Sequence, residues 1–176
     1  HETGVRELIR DGWLSPLRSK AGSERPDLSE VRVRAGEFVQ DDLEAAMSDE
    51  RRVVLACMEI AARTQERKSV LVFTCGVIHA ELVARLLTEM GCAALLVTGE
   101  TPDQERADAV RQFRAGEAKY LVNVNVYTEG FDAPNVDCVA VLRPTLSPGL
   151  WYQMCGRGFR IAPDKTDCLV LDYGDN

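Results

Sequence analysis

From Ser69 onward the chain alternates short, continuous apolar runs with segments whose apolar residues recur every three or four positions. Val70-Leu71-Val72-Phe73 is uninterrupted, the pattern of a strand buried on both faces. Gly76 then opens a helical segment with the stripe Ile78, Leu82, Leu86 and Met90, closed by Gly91 as a C-terminal cap. Ala93 to Val97 reads as a second buried strand. Thr101-Pro102-Asp103-Gln104 supplies an N-cap, a first-turn proline and a capping-box Gln in the order that starts a helix. That helix is expected to bury Ala107, Val110 and Phe113 and to end at Gly116. Tyr120 to Val124 and Val136 to Leu142 are further strands, a short helix follows Ser147-Pro148, and Cys168 to Leu171 is a fifth strand. This alternation predicts an α/β fold, a parallel sheet with helices on both faces.

Residues 1–68 read as a lead-in to this unit, 69–176. Thr3 is placed to cap a short helix carrying Val5, Leu8 and Ile9, ending near Gly12. Trp13 to Leu17 is extended because Pro16 disfavours helix in its predecessor, and 20–27 reads as an exposed loop. Val31 and Val33 alternate with arginines as a short half-buried strand. Residues 37–66 are helical in pattern, with Val53, Val54, Cys57, Ile60 and Ala61 on one stripe.

Composition narrows the function. Apolar residues make up 45% and charged residues 28%, and no run of 18 apolar residues exists, which excludes a disordered tail and a membrane-spanning helix. The chain is acidic, with 28 Asp plus Glu against 21 Lys plus Arg and a net charge of −7, so a self-sufficient nucleic-acid clamp is not expected. The start, His1-Glu2-Thr3-Gly4, has no signal-peptide pattern and no initiator Met, and the chain is expected to be a fragment. Six scattered cysteines and two histidines form no zinc-ligand pattern. They are expected to be reduced, mostly buried thiols of a cytoplasmic protein, with no metal site.

In a parallel sheet, function gathers beyond the carboxyl ends of the strands. There the sequence places Thr74-Cys75-Gly76, Thr98-Gly99-Glu100, Asn123-Val124-Asn125 and Arg143-Pro144-Thr145. No phosphate-cradling G-x-x-x-x-G-K-[ST] and no G-x-G-x-x-G is present. Cys75 stands where a strand meets a helix N-terminus, which lowers a thiol pKa, but the arginine of a phosphatase loop is replaced by Glu81, and a packed thiol is expected. Two constellations rise above background. Thr128 to Pro134 is Gly-, Asp- and Pro-containing and taken alone reads as a turn. Gln153-Met154-Cys155-Gly156-Arg157-Gly158-Phe159-Arg160 sets two arginines three apart with glycines beside them, which lets guanidinium groups reach a phosphate without crowding.

Residues 69–173 resemble the second RecA-like lobe of superfamily 2 helicases. Val70 to Thr74 is similar to motif IV, Asn123 to Pro134 to motif V, and Gln153 to Arg160 to the Q-x-x-G-R-x-x-R form of motif VI. The resemblance is nearest to bacterial DNA-repair helicases of the RadD kind, through Thr128 to Asp132, Gly156 to Pro163 and the lead-in segments Gly4 to Ile9 and Leu14 to Pro16. It implies a RecA-like sheet lacking its own P-loop. It also implies that Arg157 and Arg160 reach nucleotide phosphates across an interface between lobes, with Gln153 coupling the lobes and Gly130, Asp132 and Gly156 lying near the nucleotide. Thr74, Thr98, Gly99, Asn123 and Asn125 would touch the nucleic-acid backbone. ATP with Mg²⁺ would be held mainly by a first RecA-like lobe, the natural partner, with single- or double-stranded DNA as the track and RNA as the alternative. Asn123 and Asn125 stand where many relatives carry Thr or Ser, and the cysteine-rich zinc segment expected beyond this lobe in RadD-like proteins is absent from this sequence. The expected function is therefore the second motor lobe of an ATP-dependent DNA helicase or translocase, inactive as an ATPase by itself. The alternatives are the motor lobe of a restriction-type translocase and a non-catalytic docking module on the same fold.

Overall fold

The computed structural model describes residues 4–124 and 133–176. Among these, the chain runs α1 (Val5–Arg10), β1 (Leu17–Ala21), β2 (Val33–Arg34), β3 (Glu37–Phe38), α2 (Gln40–Met47), α3 (Glu50–Arg63), β4 (Val70–Thr74), α4 (Val77–Glu89), β5 (Ala94–Val97), α5 (Asp103–Ala115), β6 (Tyr120–Val124), β7 (Cys138–Leu142), α6 (Pro148–Gly156), a 3₁₀ turn (Arg157–Phe159) and β8 (Cys168–Asp172). Six strands form one sheet in the order β1-β8-β7-β4-β6-β5, and every pairing is parallel. β2 and β3 make a separate antiparallel hairpin.

The central strand β4 is buried along its whole length between β6 and β7, which is why its sequence shows no polar alternation. Its side chains still alternate faces. Val70 and Val72 join Tyr120, Val122, Cys138 and Ala140 under α3 and α4, whereas Leu71 and Phe73 join Leu121, Val139 and Val141 under α5 and α6. Phe113 of α5 and Met154 of α6 are fully buried on that second face. At about 1.5–3 kcal/mol per fully buried large apolar side chain, these two layers supply most of the driving force.

Several local expectations are corrected. The exposed loop expected from residue 20 begins later, because Lys20 and Ala21 continue β1 and pair with Leu171 and Asp172. Val33 is exposed rather than half-buried, in a hairpin that is not paired with the six-stranded sheet. The single helical stretch over 37–66 divides at Ser48–Asp49, where the Asp49 side chain accepts from Arg52 N and caps α3. The α4 stripe is rotated. His79, Ala80, Val83, Leu86 and Leu87 are buried, while Ile78 is 65% exposed. Thr101 does not cap α5; its hydroxyl accepts from Thr98 N, Pro102 takes the N-cap position, and Ala109 rather than Ala107 turns inward. β5, at the sheet edge, is only half-buried over most of its length. Gly116 ends α5 with φ +75°, the left-handed conformation that glycine adopts freely. Among the described residues no helix is long and apolar enough to cross a membrane.

Candidate nucleotide and nucleic-acid interface

The parallel register brings the carboxyl ends of four strands together. Thr74 pairs with Val124 on one side and Leu142 on the other, and Val97 pairs with Asn123. The turns beginning at Thr74, Thr98 and Arg143 therefore emerge along one edge, beside the carboxyl end of β6. Asn125, Gly130 and Asp132, the remaining motif V positions, lie outside the described residues.

At this edge Thr74 and Asn123 turn inward. Thr74 is 1% exposed, and its hydroxyl donates to Asn123 O at 2.9 Å. Asn123 is fully buried and donates its side-chain amide to Val72 O at 2.9 Å. Both side chains lace β4 to β6 and set the shape of the edge, instead of projecting a hydroxyl or amide from it. Thr98 is also buried, its hydroxyl accepting from Glu100 N at 3.2 Å. That compact turn leaves Gly99 exposed with no atom within 4 Å of where a Cβ would stand, so Gly99 offers bare backbone to an approaching chain.

The N-terminus of α4, a natural anion site, is already served from within the chain. The Glu44 carboxylate on α2 accepts from Ile78 N at 2.7 Å and His79 N at 3.3 Å, and Gln40 of the same helix donates to Cys75 O. A Cβ on Gly76 would collide with that carboxylate. Glu37, from the hairpin, similarly accepts from Thr145 Oγ1 and, at 3.0 Å, from Leu146 N. Neither acid was recognisable as a site residue in the sequence, because each reaches its partner over a separation of 34 residues or more.

Cys75 Sγ lies 3.1 Å from His79 Nδ1, a spacing that suggests a thiolate–imidazolium pair. Burial and the Glu44 charge push the Cys75 thiol up to about 12, and burial lowers His79 to about 4. At neutral pH both are uncharged, so the pair is a packed contact and Cys75 is no nucleophile.

The arginine-bearing segment follows α6. Ser147 caps that helix by accepting from Leu150 N at 3.3 Å, and Pro148 occupies its first turn. Met154 and Cys155 are buried, which leaves Gln153 exposed on the outer side. Gln153 and Arg157 are four residues apart and share a face. Gly156 and Arg157 are half-buried. The backbone tightens into the 3₁₀ turn over Arg157–Phe159 and becomes extended at the exposed Arg160. The turn is pinned at three successive carbonyls: Phe159 O accepts from Ser15 N at 2.7 Å, and Gly158 O and Arg160 O accept from Lys165 Nζ at 2.8 and 2.6 Å. Gly158 is buried hard against Cys168, where a Cβ would lie 2.5 Å from Cys168 Sγ. Among the described residues no group of three acidic, Cys or His side chains could hold a metal ion.

The all-parallel sheet with helices on both faces is a RecA-like α/β fold. Residues 50–162 match the family described as Helicase conserved C-terminal domain, and this chain belongs to that family, as the C-terminal lobe of a superfamily 2 helicase. It is 31% identical over 175 residues to the "Putative ATP-dependent helicase IRC3" of Saccharomyces cerevisiae, covering 98% of this chain and 25% of that protein. It is 34% identical over 171 residues to the "Putative mitochondrial ATP-dependent helicase irc3" of Schizosaccharomyces pombe, covering 97% and 28%. The chain thus spans about a quarter of the length of these curated relatives. A fragment of a putative HsdR subunit of a type I restriction enzyme from Vibrio vulnificus shares the fold, with a TM-score of 0.72 at 22% identity over 96% of this chain and 33% of that one.

Proposed function

We propose that this chain is the second motor lobe of an ATP-dependent DNA helicase or translocase, with Arg157 and Arg160 acting on the nucleotide phosphates. The observation that carries the reading is the pinned turn from Arg157 to Arg160, which fixes two guanidinium-bearing residues three apart. Planar guanidinium groups on a rigid base suit developing phosphoryl charge. Gln153, on the same face as Arg157, couples the lobes, and Gly156, open above its Cα, gives the nucleotide room beside the arginines. ATP with Mg²⁺ is held mainly by a first RecA-like lobe, with Gly130 and Asp132 completing the nucleotide contacts from this side.

The nucleic-acid track runs over the strand-end edge. Gly99 and the backbone beyond Thr98 contact the nucleic-acid backbone, with Asn125 assigned the same role, while Thr74 and Asn123 hold the shape of that edge. These contacts go to the phosphate backbone and read no sequence. DNA is the favoured track because the segments Thr128 to Asp132 and Gly156 to Pro163 resemble those of RadD-like DNA-repair helicases. A docking module would gain nothing from two phosphate-reaching arginines. The test is association with a separately supplied first lobe: binding should tighten with a non-hydrolysable ATP analogue plus Mg²⁺ and be lost in Arg157→Ala/Arg160→Ala. Association indifferent to nucleotide would refute the motor reading.

A further inference from the structure

We infer that Lys165 is the positioning residue of the arginine pair, clamping the turn that carries Arg157 and Arg160 through the carbonyls of Gly158 and Arg160 rather than touching nucleotide itself. This rests on the reading of those arginines given above. The last carbonyls of a helix or 3₁₀ turn have no partner within the turn. Here those of Gly158 and Arg160 converge on one ammonium group, at 2.8 and 2.6 Å. A charged donor at a helix C-terminus is favourable on both hydrogen-bonding and dipole grounds.

The local chain is built to deliver that ammonium. Pro163 is followed by Asp164 with φ +64°, a left-handed conformation that a non-glycine residue adopts at some cost, and Lys165 N donates back to Ala162 O at 3.2 Å. This reversal returns the Lys165 side chain under the turn it has just left. Ser15 N takes the intervening carbonyl, Phe159 O, at 2.7 Å, and Cys168 closes against Gly158. Three points therefore fix the plane of the turn, and Lys165 supplies two of the bonds.

An arginine side chain multiplies any tilt of its backbone along its whole length. Losing the clamp would displace the guanidinium groups by enough to weaken transition-state contacts while leaving ground-state binding nearly intact. Lys165 is partly buried and its ammonium is harder to keep protonated than a free lysine because of that burial. A group held so against its solvation preference is consistent with a bonded role.

The test uses the chain joined to its first lobe and measures DNA-stimulated ATP turnover. Lys165→Met, close in length and without the charge, should lower kcat by about tenfold to a hundredfold with the KM for ATP and the affinity for DNA within about twofold. The distinguishing readout is the double-mutant cycle. In the Arg157→Ala/Arg160→Ala background, Lys165→Met should cost less than about threefold more, because both residues it positions are gone. A full, multiplicative loss there, or an unchanged kcat in the folded single variant, would overturn the inference.

Near-parental turnover in Arg160→Ala alone would instead remove the proposed function itself. An inactive Arg160→Ala beside a fully active Lys165→Met removes only the clamp. If Lys165→Met fails to fold, Lys165→Arg keeps a cation at the site and is expected to melt near the parent yet lose severalfold in kcat, since its planar fork meets the two carbonyls at other angles. Parental kcat in Lys165→Arg, with Lys165→Met unfolded, would reduce Lys165 to a folding role.

Discussion

Replacing Gly158 by alanine tests whether the arginine turn is seated as tightly as its contacts require. An added Cβ would stand 2.5 Å from Cys168 Sγ, 3.1 Å from Cys168 Cβ and 3.2 Å from Leu17 Cδ2, where relaxed carbon contacts lie about 3.5–4.0 Å apart. None of the three atoms retreats easily. Cys168 opens β8, Leu17 opens β1, and the two residues are paired in the sheet. Overpacking of this kind costs about 1–3 kcal/mol. The smaller conformational entropy of an unfolded alanine returns about 0.4–1 kcal/mol, so a net loss of about 1–2 kcal/mol is expected. For a chain of this size that corresponds to a melting temperature lower by roughly 2–8 °C. Thermal and urea denaturation followed by circular dichroism would measure it. Cys168→Ala alone should also destabilise, by about 1 kcal/mol for the buried sulfur removed, yet the double variant should recover much of the Gly158→Ala loss because the new methyl fills the vacated space. Simple additivity of the two changes, or a Gly158→Ala protein as stable as the parent, would refute the close seating.

Acid should destabilise the fold through His79. Its folded pKa is lowered to about 4 from 6.5, so between those values the unfolded chain binds the extra proton and stability falls as pH drops. The loss over that window is about 3 kcal/mol and should be absent in a folded His79→Gln variant, read by urea midpoints from pH 7 to 4. The isolated chain, at net charge −7 and with Glu44 and Glu37 facing the strand-end loops, should bind single-stranded DNA at about 10⁻⁶ M or weaker at physiological salt, with a shallow salt slope. Nanomolar binding in a fluorescence-anisotropy titration would reveal a basic face that this account lacks.

Elements whose signal is local were legible in the sequence. Strands β4, β7 and β8 carry continuous apolar runs, β6 is broken only by Asn123, and Ser147-Pro148 starts α6 by cap chemistry within four neighbouring residues. β1 escaped notice because Leu17–Ala21 has one half-buried residue and four exposed ones. Its place in the sheet comes from backbone pairing with β8, some 150 residues away, and no side-chain pattern encodes that. The buried side of α4 is not encoded locally, because apolar residues lie on more than one side of that helix and only its packing against α3 and the sheet decides which side is buried.

The candidate site divides the same way. Gln153, Gly156, Arg157 and Arg160 are close in sequence and were visible as a group. The inward turn of Thr74 and Asn123 was not, because it depends on which carbonyl each side chain meets across the sheet. Glu44 acts on the edge and Ser15 on the arginine turn from far along the chain, and Lys165 acts through a chain reversal that its own sequence does not announce.

In the proposed motor, Arg160 acts on charge developing during phosphoryl transfer. The most direct test of this role is DNA-stimulated ATP turnover and nucleotide affinity of Arg160→Ala, measured in the chain joined to its first lobe. Turnover should fall by about 10³-fold or more, the range of an arginine finger, with nucleotide affinity changed by only a few-fold. Arg160→Lys should restore little, because an ammonium point charge does not reproduce the planar fork. Near-parental turnover in Arg160→Ala would contradict the account.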